Sequence, residues 1–266
     1  VDAVTLLALR MAFSLPFFLA AAWWTRGAAP VSRRDAVLVL VLGLTGYYLS
    51  SLLDFLGLQY ISAGLERLIL FLYPTITVLL AAAVQRKRVG RTVLAAMGLC
   101  YAGIVLVFLS DLFVRDPGGV RAGVALGAAL VFASTISYSI YLVGAGHAIG
   151  RIGATRFTAQ AMIVASAASL VQFAAARPAA ALAVPGSVLA LAGAMALFST
   201  VLPVFLLSLA IRRIGSGRAS LTGSVGPVST IFLAWLFLGE EISMLQVAGS
   251  ALVLAGVLLV GRVRSA

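Results

Sequence analysis

Residues 36–88 read AVLVLVLGLTGYYLSSLLDFLGLQYISAGLERLILFLYPTITVLLAAAVQRKR, and this stretch decides the fold class. It contains two apolar runs, 36–58 and 62–84. Each is as long as the ~20 mostly apolar residues a helix needs to cross the hydrocarbon core of a bilayer. A short turn joins them, and basic clusters close them: Arg33-Arg34 before, Arg86-Lys87-Arg88 after. Two spans joined by a turn make a membrane hairpin.

Working outward, similar runs occupy 3–24, 92–110, 122–143, 156–176, 187–211, 216–238 and 243–261, making nine expected spans. Composition agrees. The chain is 62% hydrophobic and 10% charged, whereas a soluble domain carries about 25% charged residues. So few charges cannot cover a water-facing surface. Trp23-Trp24 close the first run and suit the headgroup layer. The single cysteine, Cys100, forms no internal disulfide, and no His/Cys cluster suggests a metal. No cofactor is expected.

The net charge of +11 is not read as a nucleic-acid footprint, because the arginines lie in short loops between apolar runs. One set of alternate connections, together with the tail, carries fourteen basic residues and the other set three. Loops rich in Lys and Arg stay cytoplasmic. The expected placement is therefore multi-pass in a bacterial cytoplasmic membrane, with the C-terminus cytoplasmic.

Shifting the sequence by 153 residues aligns Ile61 with Ile214, Gly64 with Gly217, Leu68 with Leu221, Pro74 with Pro227 and Gly103 with Gly256. The expected domains are a first repeat at 1–111 and a second at 120–262. The second holds five spans, an odd number, so the copies are expected to be inverted. Inverted repeats around a midplane site are the architecture of many secondary transporters. The first repeat shows only four spans, so a tenth helix is expected before Val1. The expected fold is all-α: a polytopic transmembrane helix bundle of two inverted five-helix repeats, with nine helices in this chain and the first of ten missing.

The stretch from Gly226-Pro227-Val228 to Leu236-Phe237-Leu238-Gly239-Glu240-Glu241, with Leu245-Gln246-Val247-Ala248-Gly249 and Leu254-Ala255-Gly256-Val257, resembles the signature of EamA-type members of the drug/metabolite transporter superfamily. Gly57-Leu58-Gln59-Tyr60-Ile61-Ser62-Ala63-Gly64-Leu65 and Tyr73-Pro74 resemble the matching part of the first repeat. The resemblance implies ten helices in two inverted repeats and transport of amino acids, related metabolites or drugs, often outward. Arg86-Lys87 stand where such proteins close the fourth helix with a Gly-Glu pair.

Polar side chains deep in a span mark a pathway more often than a surface. Tyr47, Tyr48, Tyr73, Ser134, Ser137, Tyr138, Ser199 and Thr230 lie near span centres and are the candidate solute contacts. Pro74, Pro203 and Pro227 are the candidate helix breaks, since proline leaves a carbonyl unpaired one turn earlier. The plainer reading is that the hydroxyls bond back to their own helices and the prolines only bend them. Asp54, Glu66 and Arg67 flank the turn of the hairpin. They are either an outer gate with proton coupling or an interfacial ion pair that fixes the hairpin, and antiparallel packing would bring Asp54 close to Arg67. Arg10 either meets an anionic solute group or snorkels to the headgroups. Gly119, Gly123 and Gly127 offer a smooth face for helix contact.

The leading function is a secondary transporter working by alternating access. It would export a small amino acid-like, zwitterionic or amphiphilic solute, with solute and lipid bilayer as partners. A structural or sensory subunit without transport is the alternative. An intramembrane enzyme is disfavoured: Ser224 lies between glycines, but His147, the only histidine, is assigned to a loop near another span's end.

Overall fold

The computed structural model describes residues 1–27, 31–84, 86, 90–114, 121–216, 219–220, 236–237 and 243–262. All its described elements are helical. In chain order they are α1 (Ala3–Trp24), α2 (Arg33–Gly43), a π-helical turn (Leu44–Leu49), α3 (Ser50–Gly57), α4 (Ala63–Leu70), α5 (Tyr73–Val84), α6 (Arg91–Val114), α7 (Arg121–Ile152) and α8 (Ala154–Ala176). A 3-10 turn (Ala179–Leu182), α9 (Gly186–Ala194), a second π-helical turn (Met195–Val201), α10 (Leu202–Ile214) and α11 (Met244–Arg262) complete the order.

Six described segments are long and apolar enough to cross a membrane: Ala3–Trp24, Arg33–Gly57, Leu65–Val84, Gly123–Ile152, Ala154–Ala176 and Gly186–Ile214. This is a polytopic all-α membrane protein. The expected spans 92–110 and 243–261 appear as α6 and α11, with shorter apolar stretches at Leu94–Gly103 and Met244–Gly256. Most of the expected span 216–238 lies outside the described residues. One expectation is corrected. His147 is not in a loop: α7 runs on to Ile152, and the His147 ring Nδ1 lies 3.1 Å from the Val143 carbonyl. The glycines at 144, 146 and 150 do not stop a helix whose other residues favour it. The break comes at Gly153, whose φ of 85° a side chain would resist.

The helix starts follow local chemistry. Asp2 Oδ1 accepts from the amides of Val4 and Thr5 at the start of α1, and Ser62 Oγ accepts from Leu65 at the start of α4. Ser32 Oγ accepts from the amide of Asp35 at the start of α2, and its hydroxyl donates to the Asp35 carboxylate. Ser243 and Gln246 form a reciprocal capping box at α11. Each cap satisfies amides that the first helical turn leaves without partners.

The chain divides into two compact units, residues 1–52 with 140–216, and 53–139 with 217–266. Each takes segments from both halves of the sequence. In the first unit α1 packs along α8; the π-turn at 195–201 lies on α1 and the one at 44–49 on α8. Leu7, Met11, Phe18, Tyr141, Phe157 and Met162 are fully buried there, with Ser14, Thr158, Ser166 and Ser208 among them. Large apolar side chains such as Trp24, Val171, Leu191, Phe198 and Leu206 are exposed, as lipid-facing positions require.

In the second unit α6 packs along α11. Gly103 lies against the Gly249 carbonyl and Val253; Gly256 lies against the Ala96 carbonyl and Cys100. The two contacts are the same contact at an offset of 153 residues, with partners exchanged. Gly57 and Gly127 likewise approach backbone to backbone: a Cβ on either would lie 2.9 Å from the other's carbonyl oxygen. Gly127 therefore packs helices, as its spacing predicts. The core of this unit gathers Ile61, Leu65, Leu68, Leu72, Val131, Cys100 and Val253.

Candidate functional site

In the first unit the span Arg33–Gly57 is interrupted by the π-turn Leu44–Leu49, and the span Gly186–Ile214 by the π-turn Met195–Val201. A π-turn widens one helical turn by one residue, and such turns are rare and concentrate at functional sites. These two overlap when the sequence is shifted by 153 residues. Each has its own local cause. Pro203, at the start of α10, has no amide to donate to the turn before it. At the position 153 residues earlier, Ser50 donates its hydroxyl to the Gly46 carbonyl. Thr200 Oγ1 donates to the Met195 carbonyl, five residues back, at 3.4 Å.

The first π-turn carries Tyr47 and Tyr48. The Tyr47 ring meets Tyr141 edge-on at 4.9 Å, and Tyr141 stacks on Phe157 at 6.0 Å. The Tyr141 hydroxyl neighbours those of Tyr47 and Ser208, and Thr158 Oγ1 donates to Ser208 Oγ at 2.5 Å. The result is a buried cluster of rings and hydroxyls. A Cβ on Gly46 would overlap the Tyr141 ring, which explains the glycine inside Thr45-Gly46-Tyr47. Tyr48 is half-buried on the same turn, while Ser199 on the second π-turn is exposed. Arg10 turns inward, with Nη2 donating to Ser51 Oγ at 3.0 Å. Tyr141, Phe157, Thr158 and Ser208 were not singled out in the sequence. A tyrosine in the middle of an apolar run was the available signal for Tyr141.

In the second unit the span Leu65–Val84 breaks at Phe71-Leu72, just before Tyr73-Pro74, which open α5. The break disturbs the backbone bonding, and α7 meets it. Thr135 Oγ1 donates to the Ile69 carbonyl at 3.3 Å and Ser139 Oγ to the Tyr73 carbonyl at 3.2 Å. Both hydroxyls also contact carbonyls of their own helix, Val131 and Thr135. Hydroxyls four apart on one helix thus serve carbonyls four apart on the other. Only their equal spacing could have revealed Thr135 and Ser139 in the sequence. Tyr73 meets Tyr138 edge-on at 5.5 Å and donates its hydroxyl to the Ser220 carbonyl at 2.9 Å. Ser134 and Ser137 are buried on α7. Thr230 and Pro227 lie outside the described residues.

The same unit holds the three candidate charges. Glu66 is 1% exposed. Arg67 Nε lies 3.1 Å from Glu66 Oε2, and the Asp54 carboxyl is the other charged neighbour of Glu66. Glu66 thus neighbours both of the other candidate charges, Arg67 and Asp54.

No cluster of His, Cys, Asp or Glu able to hold a metal occurs among the described residues.

The profile of the EamA-like transporter family matches residues 1–109 and 125–262. The uncharacterized transporter YcbK of Bacillus subtilis is 34% identical over 214 residues, 78% of this chain and 66% of its own length. The chain thus spans slightly under two thirds of that relative. The uncharacterized transporter YyaM of the same bacterium is 27% identical, covering 85% of this chain and 73% of its own length. An uncharacterized transporter of Archaeoglobus fulgidus is 25% identical, with 88% and 80% covered. A solved crystal structure superposes with a TM-score of 0.68 at 19% identity, over 97% of this chain and 87% of the other. At that identity the likeness concerns the fold.

Proposed function

This chain belongs to the EamA-like transporter family, within the drug/metabolite transporter superfamily, and from that premise we propose that it is a secondary transporter which exports a small organic solute across a bacterial cytoplasmic membrane by alternating access. The observation that carries the reading is the exchange of partners at Gly103 and Gly256. When residue i of one helix touches j of its copy, and j touches i of the copy, a local two-fold axis relates them. Here the positions run in opposite senses along α6 and α11 (103 with 249, 96 with 256). Equivalent helices packed antiparallel are what two inverted repeats require, and inverted repeats support alternating access.

The solute is neutral, zwitterionic or amphiphilic. The candidate contacts are aromatic and hydroxyl-bearing: Tyr47, Tyr48 and Ser199 in one unit, Tyr73, Ser134, Ser137 and Tyr138 in the other, with Thr230. Pro74, Pro203 and Pro227 are the candidate helix breaks through which backbone carbonyls would take part. Asp54, Glu66 and Arg67 form the gate and couple it to protons: two carboxyl groups side by side in a low-dielectric setting repel when both are ionised. The fourteen-to-three split of basic residues supports a cytoplasmic C-terminus.

The test is a solute panel in proteoliposomes at two pH values. Saturable, competable flux of an amino acid-like or amphiphilic solute is expected. A panel without saturable flux would favour a structural or sensory subunit. The topology is tested separately, by membrane-impermeant labelling of cysteines placed at Arg86 and Arg212. Both are expected on the cytoplasmic face, and labelling from opposite faces would refute the inverted arrangement.

A further inference from the structure

The end of α1, the start of α8 and the end of α10 enclose an open cleft of about 350 Å³ within the first unit, lined by Trp24, Thr25, Gly153, Ala154, Arg156 and Arg212. None of these residues belongs to the solute clusters. We propose that this cleft is a lipid site, in which Arg156 and Arg212 hold the phosphate of an anionic glycerophospholipid headgroup.

The depth of the cleft is set by the tryptophans. Trp24 is 89% exposed and Trp23 66% exposed at the end of a 22-residue apolar helix, where indole rings sit at headgroup level. The Arg26 guanidinium lies 3.6 Å over the Trp23 ring, so positive charge is fixed at the same level. Arg156 comes from α8 and Arg212 from α10, so two planar guanidinium forks from different helices line one cleft. That arrangement matches the oxygens of a phosphodiester better than a single cation does.

The charge balance selects an anionic lipid. The unit contains nine arginines and two acidic residues, Asp2 and Asp35. Both acids are engaged elsewhere, Asp2 with Arg177 and Asp35 with Arg151. Basic pockets between membrane helices at the interface recognise anionic headgroups on this principle. A free phosphate ion offers the same oxygens, but only a lipid places them beside exposed tryptophans at the end of a span.

The experiment uses the full chain in phosphatidylcholine nanodiscs with spin-labelled phosphatidylglycerol, and spin-labelled phosphatidylcholine as reference. The motionally restricted signal is expected to favour phosphatidylglycerol severalfold. Arg156→Gln with Arg212→Gln should reduce that preference at least threefold. Arg33→Gln with Arg34→Gln removes the same charge outside the cleft and should leave most of it. Lysine at both cleft positions should retain part of the preference, which separates loss of the site from loss of the fold. Equal losses in the two glutamine pairs, or none in the cleft pair, would overturn the proposal. Displacement of the labelled lipid by millimolar inorganic phosphate would instead assign the cleft to free phosphate and refute the lipid site.

Discussion

The Tyr141 ring occupies the space that a side chain on Gly46 would need: a Cβ built there overlaps ring carbons and the Tyr141 Cβ. The ring cannot swing aside like the tip of a flexible chain, because it is fully buried between Tyr47 and Phe157. Gly46→Ala should cost about 1–3 kcal/mol, the range for overpacking a core. The readout is the thermal midpoint of the detergent-solubilised protein. Tyr141→Ala in the same chain should recover part of the loss. An unchanged midpoint for Gly46→Ala would show that the ring is not where the structure puts it.

Gly103 and Gly256 should respond alike to alanine, since their surroundings match at a 153-residue offset. Each Cβ would press on a partner carbonyl and on Val253 or Cys100. Losses of about 1–3 kcal/mol are expected at both positions. Gly98, on the same helix as Gly103, has nothing within 4 Å of its missing Cβ, so Gly98→Ala should gain up to about 1 kcal/mol from helix propensity. Unfolding in a denaturing detergent series would compare all three.

The hydroxyls of Thr135 and Ser139 donate to the Ile69 and Tyr73 carbonyls, which lie on either side of the break at Phe71-Leu72. Thr135→Val or Ser139→Ala should each cost about 0.6 kcal/mol and no more than about 1.7 kcal/mol, the average and the maximum measured for hydrogen bonds between membrane helices. A double variant whose loss exceeds the sum of the singles would show that the pair works as one support for the broken span.

Asp54→Asn and Glu66→Gln should each flatten the pH dependence of solute flux in proteoliposomes, while leaving saturation by solute measurable. Flux that keeps the parent pH profile in both variants would remove the coupling role and leave an interfacial ion pair.

Asp2 lies outside the membrane-spanning segments, and its carboxyl is held below the ordinary carboxylate range. The Thr5 hydroxyl, donating at 2.6 Å, is the main cause; the Thr5 amide and Arg177 add to it. A carboxyl with a lowered folded value contributes stability above its unfolded pKa of about 3.9, and that contribution is lost as pH falls through the folded value. Asp2→Ala should therefore cost about 0.5–2 kcal/mol at pH 7, the range for an N-cap. The gap between parent and variant midpoints should narrow when both are measured near pH 3. A gap that widens on acidification would contradict the sign of the shift.

The spans were legible because lipid demands long apolar runs with satisfied backbone, and that demand acts residue by residue. The same logic exposed the smooth face at Gly127. It did not expose the π-turns, because an extra residue in one turn leaves hydropathy unchanged. Nor did it place the end of α7: the apolar run closes at 143, although the helix continues to Ile152. Tyr141 and Ser208 were hidden in apolar runs, since a lone hydroxyl hardly alters the local average.

By itself, then, the sequence determined that this is a helical membrane protein and where most of its described helices begin and end, and it aligned Gly103 with Gly256 at an offset of 153 residues. These follow from local composition and from identities along one line. Only the tertiary structure decided which helices pair, so that α1 meets α8 and α6 meets α11, and which hydroxyls meet which carbonyls. Those choices depend on shape at contacts far apart in the chain, where a missing Cβ or a widened turn matters more than polarity.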